Sequence, residues 1–590
     1  MAKRIKRGFA CVLTLLLLLG CVQPAFAAGK TADRIGNTLK QGGLSLVEDI
    51  VYGALGGLNA IIPDRTNAGS AASFSHEDFY EGTQPFLQTP KAGARWSLGY
   101  ACESLVPDDW QTHAYYLGGF IGIENGFSNR VENVIDDMCV RTIAVSDGSG
   151  RGVSVFATID AIGVSNADIR KIRALLASEA AKSGVELNAV CVTSTHCHSC
   201  IDTQGLWTDL FRKLFKNLGA ALLRQPLEKG ADEHFLSVLR RRTADAMMTA
   251  IRSMTPGKLT YAVKDIGEAY FNNKNRKSAT SLPSKLHRFL FTPDDKSLRP
   301  TVIANLGAHP DIAGLPTGDN SGRELSGDYV YYLGETLASY GYNAMFFNGA
   351  IAGIYIGRGP TSDNVTMDRR YEISKRYGAE IARMLLALTM TQQQIMESSL
   401  YDAQTIAAER ADAERNGGGY TLWCENWQPV AERELPPLLN LRLKEVLVPV
   451  SNPLISAAGK LNLVNYEILR GENGKFCIYT EIGYACFGDV PVALVPGELV
   501  TDLYAGGASL TAQGSAHGKD FGYPSLQEIF GSDTLCFGLC NDAIGYIVPD
   551  NDYKLALLDD HYQEMISLGK KTASTLMEGY LALADECGLR

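Results

Sequence analysis

The alternation of short apolar, β-branched segments with segments of helical periodicity, from Trp96 to Arg590, constrains the fold of this chain most. The strand-like segments include VRTIAVSD, VSVFATIDAIGV, LNAVCVTSTHCHSC, TVIANLGAHP and NAMFFNGAIAG, and the helical segments between them include NADIRKIRALLASEAAKSG and YVYYLGETLASYG. A strand followed by a helix and then a second strand is typical of α/β proteins. We therefore predict an α/β fold.

Length and composition agree with one large folded unit. The 590 residues are 46% hydrophobic and 20% charged, proportions that argue against a disordered, collagen-like or multi-span membrane chain. Residues 28–94 are rich in glycine, alanine and serine, and we interpret them as a variable N-terminal extension. No repeat or low-complexity linker interrupts residues 95–590, which we predict to form a single domain.

The N-terminus has the pattern of an export signal. Four basic residues precede the apolar run GFACVLTLLLLLG, which is too short for a membrane span of about 20 residues. Cleavage after Ala27 is the favoured possibility, and lipidation of Cys21 at a lipobox is the alternative. We expect residues 1–27 to be a signal peptide and the protein to be extracytoplasmic, either secreted or in the cell envelope. A membrane tether is expected only if Cys21 is lipidated.

The net charge limits the kinds of partner that the chain can bind. The formal net charge is -10, and removal of the basic leader makes the chain more acidic, which disfavours nucleic acid and anionic surfaces as partners. The motifs imply no protein partner.

An odd number of cysteines remains after the leader is removed, so at least one thiol is free or forms an intermolecular bond. The pairs Cys197/Cys200 and Cys536/Cys540 are either disulfides or buried thiols.

Four predicted strand ends carry residues suited to catalysis. They are Thr195-His196-Cys197-His198-Ser199, Gly307-Ala308-His309-Pro310, Val495-Pro496-Gly497-Glu498-Leu499 and Asn541-Asp542-Ala543-Ile544-Gly545-Tyr546. In an extended segment, positions i and i+2 share one face, so His196 and His198 can both point at one site. Two histidines and a carboxylate are a usual ligand set for catalytic zinc. Each motif alone also has an ordinary structural explanation, and only their co-occurrence favours a metal site.

These motifs resemble those of the neutral ceramidase superfamily, zinc-dependent amidases that cleave the N-acyl bond of ceramide. The segments that resemble family motifs, in family order, are THCHSC at 195–200, Asn275-Arg276-Lys277-Ser278, His309-Pro310, Pro496-Gly497-Glu498 and Tyr546-Ile547-Val548-Pro549. The resemblance covers the chain from about Trp96 to its end and is closest to a bacterial ceramidase-like branch. It implies a large layered sandwich of mixed sheets flanked by helices, with residues 95–590 as the catalytic domain.

The resemblance also implies roles for individual residues. Zinc would be bound by His196, His309, Glu498 and Tyr546. His198 and Arg276 would lie next to the metal ligands or polarise the substrate. In a mechanism that uses metal-activated water, we predict both to be catalytic, His198 as a proton shuttle and Arg276 as a group that stabilises the oxyanion. Polar residues in the surrounding loops are expected to bind substrate, namely Asp202, Asp328 and Asn348.

The chain departs from the family pattern in three places. The family's serine nucleophile belongs to the motif NxGDVSPN, and alignment with Asn348–Gly353 places Gly353 at the serine position. The GPGG that follows the histidine pair in the family is replaced by Cys200-Ile201-Asp202-Thr203. The family's C-terminal immunoglobulin-like domain is expected to be absent.

Three functions are compatible with these residues. The first is a zinc-dependent hydrolase of N-acyl amide bonds in a lipid or small molecule, in which a metal-activated water replaces the missing serine. The second is a non-catalytic envelope or lipid-binding protein that keeps a structural zinc site. A serine hydrolase is disfavoured because the sequence contains no G-x-S-x-G motif.

Overall fold

The computed structural model describes residues 55–57, 59–120, 129–274, 281–314, 323–357, 367–415, 422–555 and 562–590. The predicted signal peptide lies outside the described residues. The strands are β1 (Trp96–Ser104), β2 (Asn133–Val134), β3 (Cys139–Ser146), β4 (Val153–Ile159), β5 (Leu187–Ser194), β6 (Thr255–Asp265), β7 (Phe271–Asn273), β8 (Lys285–Pro293), β9 (Thr301–Leu306), β10 (Glu324–Leu325), β11 (Asn343–Asn348), β12 (Ile354–Ile356), β13 (Arg433–Glu434), β14 (Leu439–Pro449), β15 (Leu469–Arg470), β16 (Phe476–Phe487), β17 (Val490–Leu494), β18 (Glu498–Leu499), β19 (Leu535–Phe537) and β20 (Tyr546–Ile547). The α-helices are α1 (Asn166–Lys182), α2 (Leu210–Leu223), α3 (Glu233–Arg252), α4 (Asp328–Ser339), α5 (Met367–Ala387), α6 (Gln392–Glu397), α7 (Ala403–Arg415), α8 (Pro453–Lys460), α9 (Thr501–Ala505), α10 (Leu526–Phe530), α11 (Tyr562–Met565) and α12 (Thr572–Glu586).

The main sheet is mixed, and its two edges are built alike. Its strand order is β11-β9-β8-β6-β1-β3-β4-β5, with β13 paired to β6. The central pairs are antiparallel, whereas β4 and β5 at one edge and β9 and β11 at the other are parallel. Helices α1 and α4 lie between the strands of these two parallel pairs along the chain, as parallel pairing requires a crossover. Each edge is therefore a β-α-β unit.

A second sheet packs against the main sheet. Its order is β14-β16-β17-β19, with β15 paired to β16. Aromatic and aliphatic side chains from both sheets form the core between them, and the rings of Phe347 and Phe537 stack with their centroids 3.9 Å apart. Burial of side chains of this size contributes about 1.5 to 3 kcal/mol each. The two sheets thus form the centre of a sandwich.

Helices cover the outer faces of the two sheets. In β4, Val155 and Ala157 face the cluster that contains residues of α1 and α3, while Phe156 faces the second sheet. Because both faces of this strand are buried, it is a continuous apolar run rather than an alternating one. Helix α12 packs on the second sheet. This arrangement confirms the predicted α/β sandwich of mixed sheets flanked by helices.

Helix α1 ties the two sheets together. Its N-cap residue Ser165 makes no side-chain capping bond, and instead Oδ1 of Asp542 accepts a 3.0 Å hydrogen bond from the backbone N–H of Asn166. A carboxylate is stabilised at this end of a helix by the helix dipole. Farther along α1, the buried Arg173 guanidinium donates to both carboxylate oxygens of Glu481 in β16, at 2.6 and 2.7 Å.

Part of the predicted N-terminal extension pairs with the second sheet. The N–H of Thr83 donates to the carbonyl of Leu441 at 2.6 Å, and the N–H of Leu443 donates to the carbonyl of Glu81 at 2.9 Å. Residues near position 82 therefore lie along β14. The domain boundary at residue 94 stays a prediction.

The described cysteines are all free thiols, and most of them are buried. The close pairs Cys197/Cys200 and Cys536/Cys540 are among these buried thiols. No helix in the described ranges is long and apolar enough to cross a membrane.

Candidate metal centre

Two loops at the ends of main-sheet strands carry three buried histidines. His196 and His198 follow β5, and His309 follows β9. The backbone of His196 is left-handed, with φ of 66°, so the expectation of an extended His196–His198 segment is wrong. A turn held by the hydrogen bond from the N–H of Cys197 to the carbonyl of Ala161, at 3.1 Å, brings both rings to one site instead.

Backbone carbonyls orient two of these rings. Nδ1 of His196 lies 2.7 Å from the carbonyl oxygen of Ile162, and Nδ1 of His309 lies 2.8 Å from that of Ile354. A carbonyl only accepts, so each Nδ1 carries the proton and donates it. When the ring is neutral, each Nε2 is an unprotonated lone pair available to a ligand, which is the arrangement found for metal-binding histidines.

The three histidines and one carboxylate converge. One ring nitrogen from each of His196, His198 and His309 lies within 4.8 Å of the other two. Oε2 of Glu498 lies 3.2 Å from Nε2 of His196 and 3.1 Å from Nε2 of His309. All four side chains are buried. The structure therefore brings together three of the four predicted metal ligands and His198.

Two of the predicted ligands, Glu498 and Tyr546, lie in short strands in the second half of the chain. Glu498 in β18 and Tyr546 in β20 are partners in a parallel pair. This pairing requires close backbone approach, because a Cβ on Gly497 would lie 2.5 Å from the carbonyl oxygen of Gly545. The glycine of the Pro-Gly-Glu motif is thereby explained. Burial and the neighbouring Glu498 carboxylate raise the pKa of Tyr546 well above its usual value.

Opposing effects act on the charge of Glu498. Burial alone would raise its pKa, but His196 and His309 beside it lower the pKa well below the usual range. Burial, together with the nearby His196 and His309, lowers the pKa of His198 well below its usual value. The site therefore holds an ionised carboxylate next to a neutral His198 ring.

His198 is packed closely in the site. The backbone N–H of His198 donates to the carbonyl of Pro310 at 3.0 Å, and this hydrogen bond links the two histidine loops. A Cβ on Gly119 would lie 2.5 Å from Nδ1 of His198, so only glycine fits there. Among the described residues, Nε2 of His198 has no hydrogen-bond partner, and the same is true of Nε2 of His196. Buried lone pairs without partners are costly in a protein interior, and a bound metal ion would satisfy them.

Asn348 bridges the two histidine loops. It ends β11, and its side-chain N–H donates to the carbonyl of Thr195 at 2.8 Å. Its side-chain oxygen accepts from the N–H of Ala308 at 3.2 Å. Thr195 and Ala308 directly precede His196 and His309. The substrate-binding role predicted for Asn348 stays untested, whereas its hydrogen bonds position both metal-site loops.

Asp202 and Asp328, also predicted to bind substrate, are buried and hold loops. The carboxylate of Asp202 accepts hydrogen bonds from the backbone of its own loop, including the N–H of Thr208 at 2.8 Å. Asp328 accepts from the N–H of Ala313 at 2.9 Å and from the hydroxyl of Ser374 at 2.6 Å. Both carboxylates are engaged with protein groups in the structure, so their predicted contact with substrate stays a prediction.

Two other predicted positions bear on the chemistry of the site. Arg276, the expected oxyanion-stabilising residue, lies outside the described residues. Gly353, at the family's serine position, has a left-handed backbone with φ of 71°. L residues rarely adopt this conformation, so the backbone here favours glycine over serine.

Sequence reasoning missed several groups beside the centre. The ring of Tyr355 stacks on His309 with 4.6 Å between centroids, and the Nζ atom of Lys274 lies 4.3 Å from the centroid of Tyr355. Asp311 is buried two residues after His309, and burial raises its pKa to about 6. The ring of Tyr562 lies 5.6 Å from that of Tyr546. Only Asp311 had a sequence signal, its position next to the His-Pro motif.

The donor set fits zinc. Imidazole nitrogens and a carboxylate oxygen are the usual ligands of catalytic zinc, and these side chains present them to one point in a buried site. The Nδ1–carbonyl hydrogen bonds supply the outer support that such ligands need. The residues around His196, His309 and Glu498 can therefore hold a divalent metal ion.

Two solved structures are similar to this chain across most of its length. A neutral ceramidase from Pseudomonas aeruginosa matches with a TM-score of 0.52 and 13% sequence identity, over 84% of this chain and 75% of that one. A structure described as ceramidase complexed with C2 matches with a TM-score of 0.51 and 13% identity, over 83% and 75%. No family model and no curated protein matches the chain. The fold is therefore ceramidase-like.

Proposed function

We propose that this protein is a zinc-dependent hydrolase of N-acyl amide bonds. The observation that carries the proposal is the convergence of His196, His309 and Glu498, whose Nε2 and Oε2 atoms lie 3.1 to 3.2 Å apart in a buried site. The similarity to solved ceramidases, which are named for their action on ceramide, supports an amide as the substrate. Ceramide itself is one candidate among N-acyl lipids.

In this proposal, the residues of the site have separate roles. His196, His309, Glu498 and Tyr546 would hold the metal, and two backbone carbonyls keep both Nε2 lone pairs directed inward. Zinc, when bound, supplies Lewis-acid polarisation of a carbonyl group and lowers the pKa of water. His198 lies in the same cluster and has an Nε2 without a partner among the described residues, so it can accept a proton from an attacking water and pass it to the leaving amine.

Gly353 decides the class of nucleophile in this proposal. A glycine has no hydroxyl to form an acyl-enzyme, and the left-handed backbone at this position disfavours serine. Water is then the attacking group. Arg276 remains the proposed partner of the developing oxyanion.

A second function is a non-catalytic envelope or lipid-binding protein with a structural zinc site. The observation that favours it is the burial of the site, because His309 is 0% exposed and His196 and His198 are also buried. A closed site would use metal binding to stabilise the fold rather than to bind substrate. In both proposals the protein is extracytoplasmic, with a membrane tether if Cys21 is lipidated.

Metal analysis combined with an amide hydrolysis assay distinguishes the two functions. We expect the purified chain to contain about one zinc per molecule and to hydrolyse short fluorogenic N-acyl amides, with loss of activity in chelator. His196→Ala and Glu498→Ala should lose both metal and activity, while the matched control His234→Ala, a surface histidine beside Asp109, should lose neither.

The outcomes separate the functions clearly. Zinc with no hydrolysis of amides or esters, together with lower thermal stability in both site variants, would favour the structural function. Absence of metal in protein purified without chelator would contradict both. In His198→Ala, retained zinc with lost activity would support proton transfer, whereas lost zinc would make His198 a ligand.

A further inference from the structure

His198 is held differently from the other two histidines of the candidate metal centre. Backbone carbonyls orient the rings of His196 and His309 through Nδ1. Neither ring nitrogen of His198 has a hydrogen-bond partner among the described residues, although the ring is buried. The position of this ring therefore depends on the backbone turn that carries it.

The turn at 197–200 is fastened to Ser326, a buried residue two positions before α4. The N–H of Ser326 donates to the carbonyl of Ser199 at 3.0 Å, and the hydroxyl of Ser199 donates to the carbonyl of Ser326 at 2.8 Å. The thiols of Cys197 and Cys200 donate to the same carbonyl at 3.2 and 3.4 Å. Every residue of the turn except His198 is thus hydrogen-bonded to the backbone of Ser326.

Asp136 in turn anchors Ser326. The carboxylate of Asp136 accepts hydrogen bonds of 2.7 Å each from the hydroxyl of Ser326, the N–H of Gly327 and the hydroxyl of Tyr332. Strands β2 and β10 end just before Asp136 and Ser326, and their parallel pairing brings the two side chains together. Hydrogen bonds to an ionised carboxylate are stronger than those between neutral groups, so Asp136 is a firm anchor for this segment.

Close packing leaves the backbone of His198 little room to move. Its N–H is bonded to the carbonyl of Pro310, and a Cβ on Gly314 would lie only 2.4 Å from its carbonyl oxygen. The ring of Phe120 lies 5.0 Å from the imidazole, measured between centroids. Closely packed interiors transmit displacements, so a shift of Ser326 would reach His198 through the turn.

We propose that Asp136 and Ser326 are positioning residues for His198, and that they hold its imidazole in register with the ligands of the candidate metal centre. This inference rests on the proposed function only in the proton-transfer role given to His198. Displacement of a catalytic group by about 1 Å can lower a rate about 100-fold. The two residues would therefore control hydrolysis without contact with substrate or metal.

Kinetics of two variants test the consequence for hydrolysis. Asp136→Asn and Ser326→Ala each weaken the connection, and we expect kcat for a fluorogenic N-acyl amide to fall at least about tenfold, with KM and bound zinc within about twofold of the parent. The matched control is Ser104→Ala, which removes a hydroxyl that donates at 2.6 Å to the neighbouring Asp137, and it should keep the kcat of the parent. Asp136→Asn preserves the shape of the side chain, so it reports on the connection even if Ser326→Ala unfolds.

Histidine ring signals test the position of His198 without any reaction. In the purified protein with isotope-labelled histidine rings, the Cε1–H signal of His198 is identified by its loss in His198→Gln. We expect this signal to shift in Asp136→Asn and Ser326→Ala, while the signals of His196 and His309 stay in place because backbone carbonyls hold those rings. A purely structural connection would lower the thermal unfolding midpoint and leave the His198 signal unchanged.

Several results would overturn the proposal. They are an unchanged His198 signal in both folded variants, or an unchanged kcat in both. Loss of zinc in parallel with kcat would also overturn it, because the connection would then support the metal ligands rather than His198. If the parent hydrolyses no amide, the proposed function fails, and the ring signals alone decide whether Asp136 and Ser326 position His198.

Discussion

The two halves of the candidate metal centre are supported in different ways. In the main-sheet half, backbone carbonyls of Ile162 and Ile354 hold the rings of His196 and His309. In the second half, Oε2 of Glu498 lies 3.1 Å from Nε2 of His309 and 3.2 Å from Nε2 of His196. The histidines are therefore oriented by backbone groups, whereas Glu498 is oriented by its contacts with the other side chains of the centre. This difference predicts that the two halves respond differently to substitution.

Loss of a main-sheet ligand should have the largest effect. His309→Ala removes a ring that is fixed before metal binds, and we expect amide hydrolysis to fall by more than about 100-fold with loss of bound zinc. Elemental analysis and the fluorogenic assay measure both quantities, with His234→Ala as the control. Retention of stoichiometric zinc in His309→Ala would show that this histidine is not a ligand.

Neutralisation of Glu498 should reduce zinc binding less than loss of His309 does, and it should leave the histidine half of the centre unchanged. Glu498→Gln keeps the shape but removes the charge, so zinc affinity should fall by about 10- to 100-fold. Histidine resonances of the metal-free protein should keep their positions because Nδ1 of each ring stays on its carbonyl. Large shifts of His196 and His309 signals would show that Glu498 also orients the rings.

Asn348 tests the link between the two histidine loops. Asn348→Ala removes the bonds to Thr195 and Ala308, and leaving these groups unpaired should lower the free energy of unfolding by about 1 to 3 kcal/mol. Zinc affinity should fall by about 10-fold because the loops are less well positioned. Chemical unfolding and zinc titration measure the two effects. A stable variant with unchanged zinc affinity would show that the hydrogen bonds of Asn348 do not position the two histidine loops.

The contact between α1 and Asp542 predicts a dependence of stability on pH. Burial raises the pKa of Asp542 to about 7, above its usual value, so the folded state binds a proton more tightly than the unfolded state. Its contribution is complete below about pH 4 and is lost as pH rises towards 7, at about 1.4 kcal/mol per pH unit. Asp542→Asn should flatten this part of the curve. An unchanged pH profile of chemical unfolding in the variant would contradict the raised pKa.

Much of the fold was predictable because each element carries its own local signal. The helical period of residues 166–182 and the apolar runs that became β4, β5 and β9 are local patterns, and the structure confirms them. The left-handed turn at His196 was not predictable, since only a few per cent of residues other than glycine adopt this conformation and the surroundings of His196 stabilise it. The hydrogen bonds of Asp202 were also not predictable. In the sequence, a buried aspartate that accepts hydrogen bonds from its own loop cannot be told from an aspartate that binds substrate.

The sequence by itself determined the α/β class and the strand ends that carry the candidate metal ligands. The tertiary structure decided how these ends meet, because β5 and β11 lie at opposite edges of the main sheet, yet Asn348 at the end of β11 hydrogen-bonds to Thr195 just after β5. The sheet must curve to bring its edges together, and the second sheet bridges them where Gly538 and Asn541 hydrogen-bond to Asn348 and Val192. Twist and long-range packing produce this curvature, and neither leaves a local pattern in the chain.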